Sequence, residues 1–271
     1  MKLIAPDYYK SFKCTAGRCR HTCCVGWEID IDETSLARFR TNPEIAEHIV
    51  QPGFSGCTKK SGPEAVSGLC EDEEAAVAPD PEVPHFRLLD GEKCPFLNGN
   101  GLCDMILKYG EDYICNICRD HPRFRNFWSD RVEVGLGLVC EEAARIILTS
   151  SEPMTLVELK ADEDVYTADQ PPAKAAGQEA RLTDAELALL ALRENLLSSL
   201  TQTGPEARLL EYLIYRHLPD ALYDGDVQKH IDCIQNAYDS VMDAFDETDG
   251  SIDSFIECAR IFSYDNEYNE Q

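Results

Sequence analysis

The sequence points to a mainly α-helical protein with a small β component, built as an irregular cysteine-rich metal-binding module followed by a helical bundle. Three observations lead there. Cys14, Cys19, Cys23 and Cys24 fall within eleven residues, in a chain of 271 residues that carries thirteen cysteines. Cys94, Cys103, Cys115, Cys118 and Cys140 follow among short, irregular segments. Beyond Thr183, apolar residues recur at helical spacing almost to the end of the chain.

The elements follow in chain order. Residues 3–12 read as an extended lead-in with Tyr8, Tyr9 and Phe12, and the first cysteine group, rich in Gly, Arg and Thr, reads as a loop. Glu28–Ile31 alternates acidic and apolar residues as a strand does. Asp32-x-x-Ser35 with Leu36 and Phe39 predicts a short helix. Asn42–Pro43 starts another, with Ile45, Ile49 and Val50 turned inward. From about 51 to 84 the periodicity dissolves into Gly, Ser, Pro and acidic residues, a mobile insertion containing Cys57 and Cys70. His85–Leu89 is a strand candidate. Asn98–Gly99 and Asn100–Gly101 are turn pairs. Leu102–Tyr109 predicts a helix stopped by Gly110, with Cys103 in its first turn, where the helix dipole favours a thiolate. Arg131–Val139 alternates as a strand and delivers Cys140 to the start of the helix CEEAARIILTS.

Asp162–Lys174 is polar and aperiodic and reads as a linker, giving a cysteine-rich module over 1–160 and a helical domain over 175–271. In that second part Thr183-x-x-Glu186 is a capping box, followed by Leu189, Leu192, Leu196 and Leu200. Pro205 opens a helix that buries Leu209, Leu213 and His217. Asp226 caps one that carries Val227, Ile231, Ile234, Tyr238, Val241 and Phe245, and Ser251 starts the last, with Phe255, Ala259 and Phe262. Cys233 and Cys258 sit singly in these helices and read as core residues.

Composition bounds the function. Hydrophobic residues make up 44% and charged residues 28%, which excludes global disorder. No apolar run approaches the ~18 residues of a membrane span, and the N-terminal residues do not form a secretory signal. The expectation is a cytoplasmic protein with no membrane partner. In that reducing compartment clustered cysteines serve metals or catalysis rather than disulfides. Fifty acidic residues against 25 basic ones give a formal charge of −25. Such a field repels phosphate backbones, so nucleic acid is not an expected partner, whereas a lysine-rich protein surface is attracted.

Nine cysteines, namely Cys14, Cys19, Cys23, Cys24, Cys94, Cys103, Cys115, Cys118 and Cys140, are the candidate metal ligands. Zinc sites favour paired chelate arms. Cys115-x-x-Cys118 is the one such arm among the nine, and His21 or His121 would have to join it. Iron–sulfur clusters accept more scattered thiolates, so a cluster, 4Fe-4S in type, is the first expectation and zinc the alternative. Nine exceed what one four-ligand site uses, so some have other roles or two centres exist. The Cx3Cx2C spacing of radical S-adenosylmethionine enzymes is not present: Cys24 follows Cys23 at once.

PDYYKSFKCTAGRCRHTCCVGWEIDID, CPFLNGNGLCDMILKYGEDYICNICRDHPR and the later CEEAARIIL resemble the flagellin lysine-N-methylase family over roughly residues 5–150. The paired Cys23–Cys24 and Cys118-Arg119-x-x-Pro122 are also similar to a wider group of iron- or zinc-chelating cysteine-rich proteins. The resemblance implies S-adenosylmethionine-dependent methylation of lysine ε-amines on flagellin, with an iron–sulfur cluster drawn from the nine cysteines. It implies no particular catalytic base and no donor-binding residue, and the acidic insertion with Cys57 and Cys70 departs from the pattern. A non-catalytic iron- or zinc-binding protein is the competing expectation.

Overall fold

The computed structural model describes residues 2–50, 83–160 and 181–268. Along the chain, Lys2–Pro6 forms β1. Glu33–Phe39 forms α1, Pro43–Ala46 forms α2, Ile49–Val50 forms β2 and His85–Phe86 forms β3. Asp104–Tyr109 (α3) and Asn116–Asp120 (α4) precede the hairpin strands Arg123–Phe127 (β4) and Arg131–Leu136 (β5). Glu141–Leu148 (α5) and Leu156–Leu159 (β6) lead to Asp184–Ser199 (α6), Pro205–His217 (α7), Ala221–Asp224 (α8), Val227–Asp246 (α9) and Ile252–Tyr268 (α10). The mainly α expectation with a small β component is borne out.

Two compact units result. Unit 1 comprises 1–22 with 120–271, and unit 2 comprises 23–119. This division differs from the 1–160 and 175–271 read from composition. The reason lies in the unit 1 sheet. Its order is β4-β5-β1-β6, with β1 parallel to β5 and antiparallel to β6. Val132, Val134 and Leu136 of β5 are buried, and an apolar strand of this kind must be covered. The helices expected to form a separate domain supply that cover: Leu209, Tyr212 and Leu213 of α7, Val241 of α9 and Phe255 of α10 share one core with the sheet. Parallel strands also need a long connection, and the whole of unit 2 lies in sequence between β1 and β4.

Local signals act as expected at several ends. Asp32 accepts from the Ser35 N–H at 2.9 Å and starts α1. Thr183 and Glu186 close a reciprocal capping box on α6. Gly110 stops α3 with φ +90°. Other expectations are corrected. Glu28–Ile31 makes one bridge, Asp30 to His85, rather than a strand, although Ile29 and Ile31 point into the unit 2 core as the alternation requires. Ile49 and Val50 leave the helix after one turn and pair with Phe86 and His85 as β2. Beyond Phe86 the segment toward Leu89 is not strand. Cys233 is exposed, because α9 turns Ile234, Ala237 and Val241 inward and 233 falls beside that face, while Cys258 is half-buried against the core. The insertion at 51–84 (all but its last two residues), with Cys57 and Cys70, and the linker at 162–174 lie outside the described residues.

Candidate metal centre

Each unit gathers thiols of its own. In unit 2 the cysteine loop is laid along the second dense stretch by backbone pairing. Gly26 N–H donates to Glu92 O at 3.0 Å, Val25 bridges Lys93, and Cys94 N–H donates to Cys24 O at 2.8 Å. Asn98 folds the turn after Cys94. Its Oδ1 accepts from the N–H groups of Asn100 (2.9 Å) and Leu102 (3.1 Å), and its Nδ2 donates to Asp104 Oδ1 at 2.7 Å. That turn brings Leu97 opposite Cys103, the residue that starts α3. Cys115 and Cys118 lie one helical turn apart at α4, and their thiols hydrogen-bond each other. Cys24, Cys94, Cys103 and Cys118 act on one another electrostatically, and Cys115 and Cys94 are buried in the unit 2 core.

Two supporting residues lie outside the cysteine set. Asp32 caps α1 through Oδ1, while its Oδ2 accepts from the N–H of Asn116, next to Cys115, at 2.9 Å. Arg38 donates to the carbonyls of Asp112 and Tyr113, both at 2.9 Å, and of Ile114 at 3.3 Å. Helix α1 thus grips the backbone on both sides of Cys115. The Asp-x-x-Ser cap was legible in the sequence, but a second acceptor contact 84 residues away was not.

Burial pushes the Cys94 thiol up to about 12, against the opposing pull of the Phe96 N–H. Cys103 is raised by burial too, while the N–H groups of Met105 and Ile106 act the other way. Cys118 stands well above the ordinary thiol, first through its bond to Cys115 and then through burial. For Asp32 burial acts upward, but the Asn116 and Ser35 N–H groups prevail and hold its carboxyl below the usual range. A metal reverses the logic for the thiols, since a cation stabilises the thiolate that burial disfavours. Five thiols around a dry core, with N–H groups turned toward Cys94 and Cys103, match the donor chemistry of a thiolate-held cluster. Among the described residues, no group of three His, Cys, Asp or Glu already stands close enough to hold a single ion.

In unit 1, Cys14, Cys19 and Cys140 act on one another electrostatically. The Cys19 thiol donates to His21 O at 3.1 Å and lies 3.7 Å from Glu141 Oε2. Cys140 precedes α5, and its thiol is raised to about 11 by burial, with the Ala143 and Glu142 N–H groups opposing. Of the nine candidates, Cys23 is the exposed member of unit 2, its carbonyl accepting from Trp27 Nε1.

A lysine-N-methylase of Salmonella choleraesuis is 23% identical to this chain over 154 residues, 56% of the chain and 34% of that protein. The lysine-N-methylase of Salmonella typhimurium is 22% identical over the same shares. The resemblance to the flagellin lysine-N-methylase family holds. The flagellar biosynthetic protein FliU of Salmonella muenchen is also similar, 22% identical over 57% of this chain and 82% of its own length. The chain spans about a third of the two lysine-N-methylases it matches. No protein-family model matches it, and no solved structure does. Among the described residues no helix is long and apolar enough to cross a membrane.

Proposed function

We propose that the protein is a lysine N-methyltransferase that uses S-adenosylmethionine and acts on flagellin in the cytoplasm, with an iron–sulfur cluster, 4Fe-4S in type, held in unit 2. The observation that carries the cluster is the gathering of Cys24, Cys94, Cys103, Cys115 and Cys118 around one small core. The similarity to lysine-N-methylases carries the reaction.

S-adenosylmethionine, when bound, supplies a methyl on a sulfonium that a neutral amine can displace directly. The chain must align the two and let the lysine ammonium lose its proton, since a free lysine has pKa ~10.4. Alignment alone is worth on the order of 7–11 kcal/mol. The net charge of −25 draws a lysine-bearing surface toward the protein. The cluster on this reading organises unit 2, as metals do in small cysteine-rich folds.

Incubation of anaerobically purified protein with methyl-labelled S-adenosylmethionine and unmethylated flagellin tests the reaction. Label on flagellin lysines is the expected result, and its absence from cluster-loaded protein rejects the methyltransferase. A second reading, an iron- or zinc-binding protein without catalysis, rests on the same gathering of thiols in unit 2. Metal uptake without label transfer selects that reading.

A further inference from the structure

Away from the thiols, unit 1 contains a small cleft with about 210 Å³ of empty space, its open mouth included. Helix α7 brings Arg208 and Glu211 to it, three residues apart on one face, paired at 2.7 Å and 4% and 5% exposed. The loop between α5 and β6 is pinned beside them. Arg208 Nη1 donates to Glu152 O at 2.6 Å, and the Met154 N–H donates to Glu211 Oε2 at 3.1 Å. Tyr8, in the turn after β1, and Ile147 and Tyr212 also line the cleft.

That bonding leaves three polar atoms unused. The buried Arg208 Nε has no acceptor among the described residues. The Tyr8 hydroxyl reaches the Met154 sulfur at 4.0 Å, a weak acceptor. Burial and the nearby Tyr212, Asp7 and Glu211 raise the Tyr8 phenol, so it stays a donor. Both contacts to the Glu211 carboxylate fall on Oε2, which leaves Oε1 to accept. A buried donor without an acceptor is unfavourable, so a ligand that supplies one gains from the pairing.

We propose that this cleft seats the head group of an α-amino acid, with its carboxylate on Arg208 Nε and the Tyr8 hydroxyl and its ammonium on Glu211 Oε1. Two donors and one acceptor match the two charges of that head group. Burial raises the Glu211 carboxyl against the pull of the Met154 N–H and Arg208, and an ammonium at Oε1 would lower it again. Ile147 and the rings of Tyr8 and Tyr212 offer the rest of the amino acid an apolar wall. Met154, unbranched and adaptable, is the side chain that yields as the ligand enters. Free methionine and S-adenosylmethionine carry the same head group. Naming S-adenosylmethionine as the occupant rests on the methyltransferase reading, whereas the head-group site does not.

Titration calorimetry on the full, anaerobically purified chain tests the site with S-adenosylmethionine and with methionine. Both are expected to bind, and N-acetylmethionine and methionine methyl ester, each lacking one charge, to bind about tenfold or more weakly than methionine. Tyr8→Phe removes a hydroxyl whose partner is the Met154 sulfur, so folding stands. Arg208→Lys keeps a positive charge beside Glu211 and removes Nε. Each variant is expected to weaken both ligands about tenfold or more, with thermal unfolding of Tyr8→Phe unchanged. Methionine bound without S-adenosylmethionine supports the site, names a free amino acid as its occupant and counts against the methyltransferase. S-adenosylmethionine bound as tightly by both variants as by wild type overturns the site and leaves the methyltransferase standing. Neither ligand bound by wild type overturns the site.

Discussion

Glu133 has no exposed surface, yet it stands on β5 in the middle of the unit 1 core. Arg193 of α6 meets it with two bonds, at 2.6 and 2.8 Å, and spreads its guanidinium over the rings of Trp128 and Tyr215. Burying both charges is costly, and removing one leaves the other without compensation. Arg193→Met is therefore expected to destabilise the protein by about 3–5 kcal/mol in urea unfolding. Glu133→Leu together with Arg193→Met recovers most of the loss, because neither charge then remains buried. Asp32 carries a different load. Asp32→Ala removes a helix cap, worth about 1 kcal/mol, and also frees the backbone beside Cys115. The expected outcome is a lower iron content per chain with unit 1 unaffected, read by metal analysis. His121 is held down to about 4, chiefly by burial and secondarily by Arg123. Its neutral form is the one the fold accepts. Its contribution to stability is complete above the unfolded value of 6.5 and is lost as pH falls through about 4, below which both states are protonated. His121→Gln should flatten the stability profile across that window by on the order of 3 kcal/mol.

Among the strands, β4 and β5 show how a short pair is specified. Phe124 lies opposite Gly135, and a Cβ on Gly135 would fall 2.2 Å from Phe124 Cζ. The glycine leaves room for the ring, which also lies near Tyr212 and Tyr215 of α7 and under the Arg216 guanidinium. Gly135→Ala is expected to cost about 1–3 kcal/mol, and Phe124→Leu in the same chain should restore part of it, as thermal unfolding of the two variants will show. The period-2 pattern made β5 legible, since Val132, Val134 and Leu136 are the buried residues it names. Strands β4 and β6 were not legible. RFRNF buries Asn126 and leaves both phenylalanines half-exposed, and LVEL buries only Leu159, so neither shows a clean apolar face. Helices α6, α7, α9 and α10 were readable because caps and apolar spacing agree there.

The protein as a whole consists of a larger unit with an extensive core and a smaller one whose buried apolar residues include Cys94 and Cys115. A core of that size is marginal without a further cross-link. If metal supplies it, removing iron with a chelator should raise hydrogen exchange across 23–119 while unit 1 keeps its protection. Uniform protection after iron removal would show that unit 2 stands on packing alone. The charge of −25 acts at long range and predicts that any association with a lysine-rich surface weakens as salt rises. Residue types and local spacing were enough to single out the thiols, the caps and the amphipathic helices, because those signals reside in neighbours along the chain. Pairing β1 with β5 across more than a hundred residues, covering that sheet with the late helices, and dividing the nine candidate cysteines six to unit 2 and three to unit 1 were settled by folding. Such contacts are rewarded only when distant segments bury surface together, and no short window of sequence contains both partners.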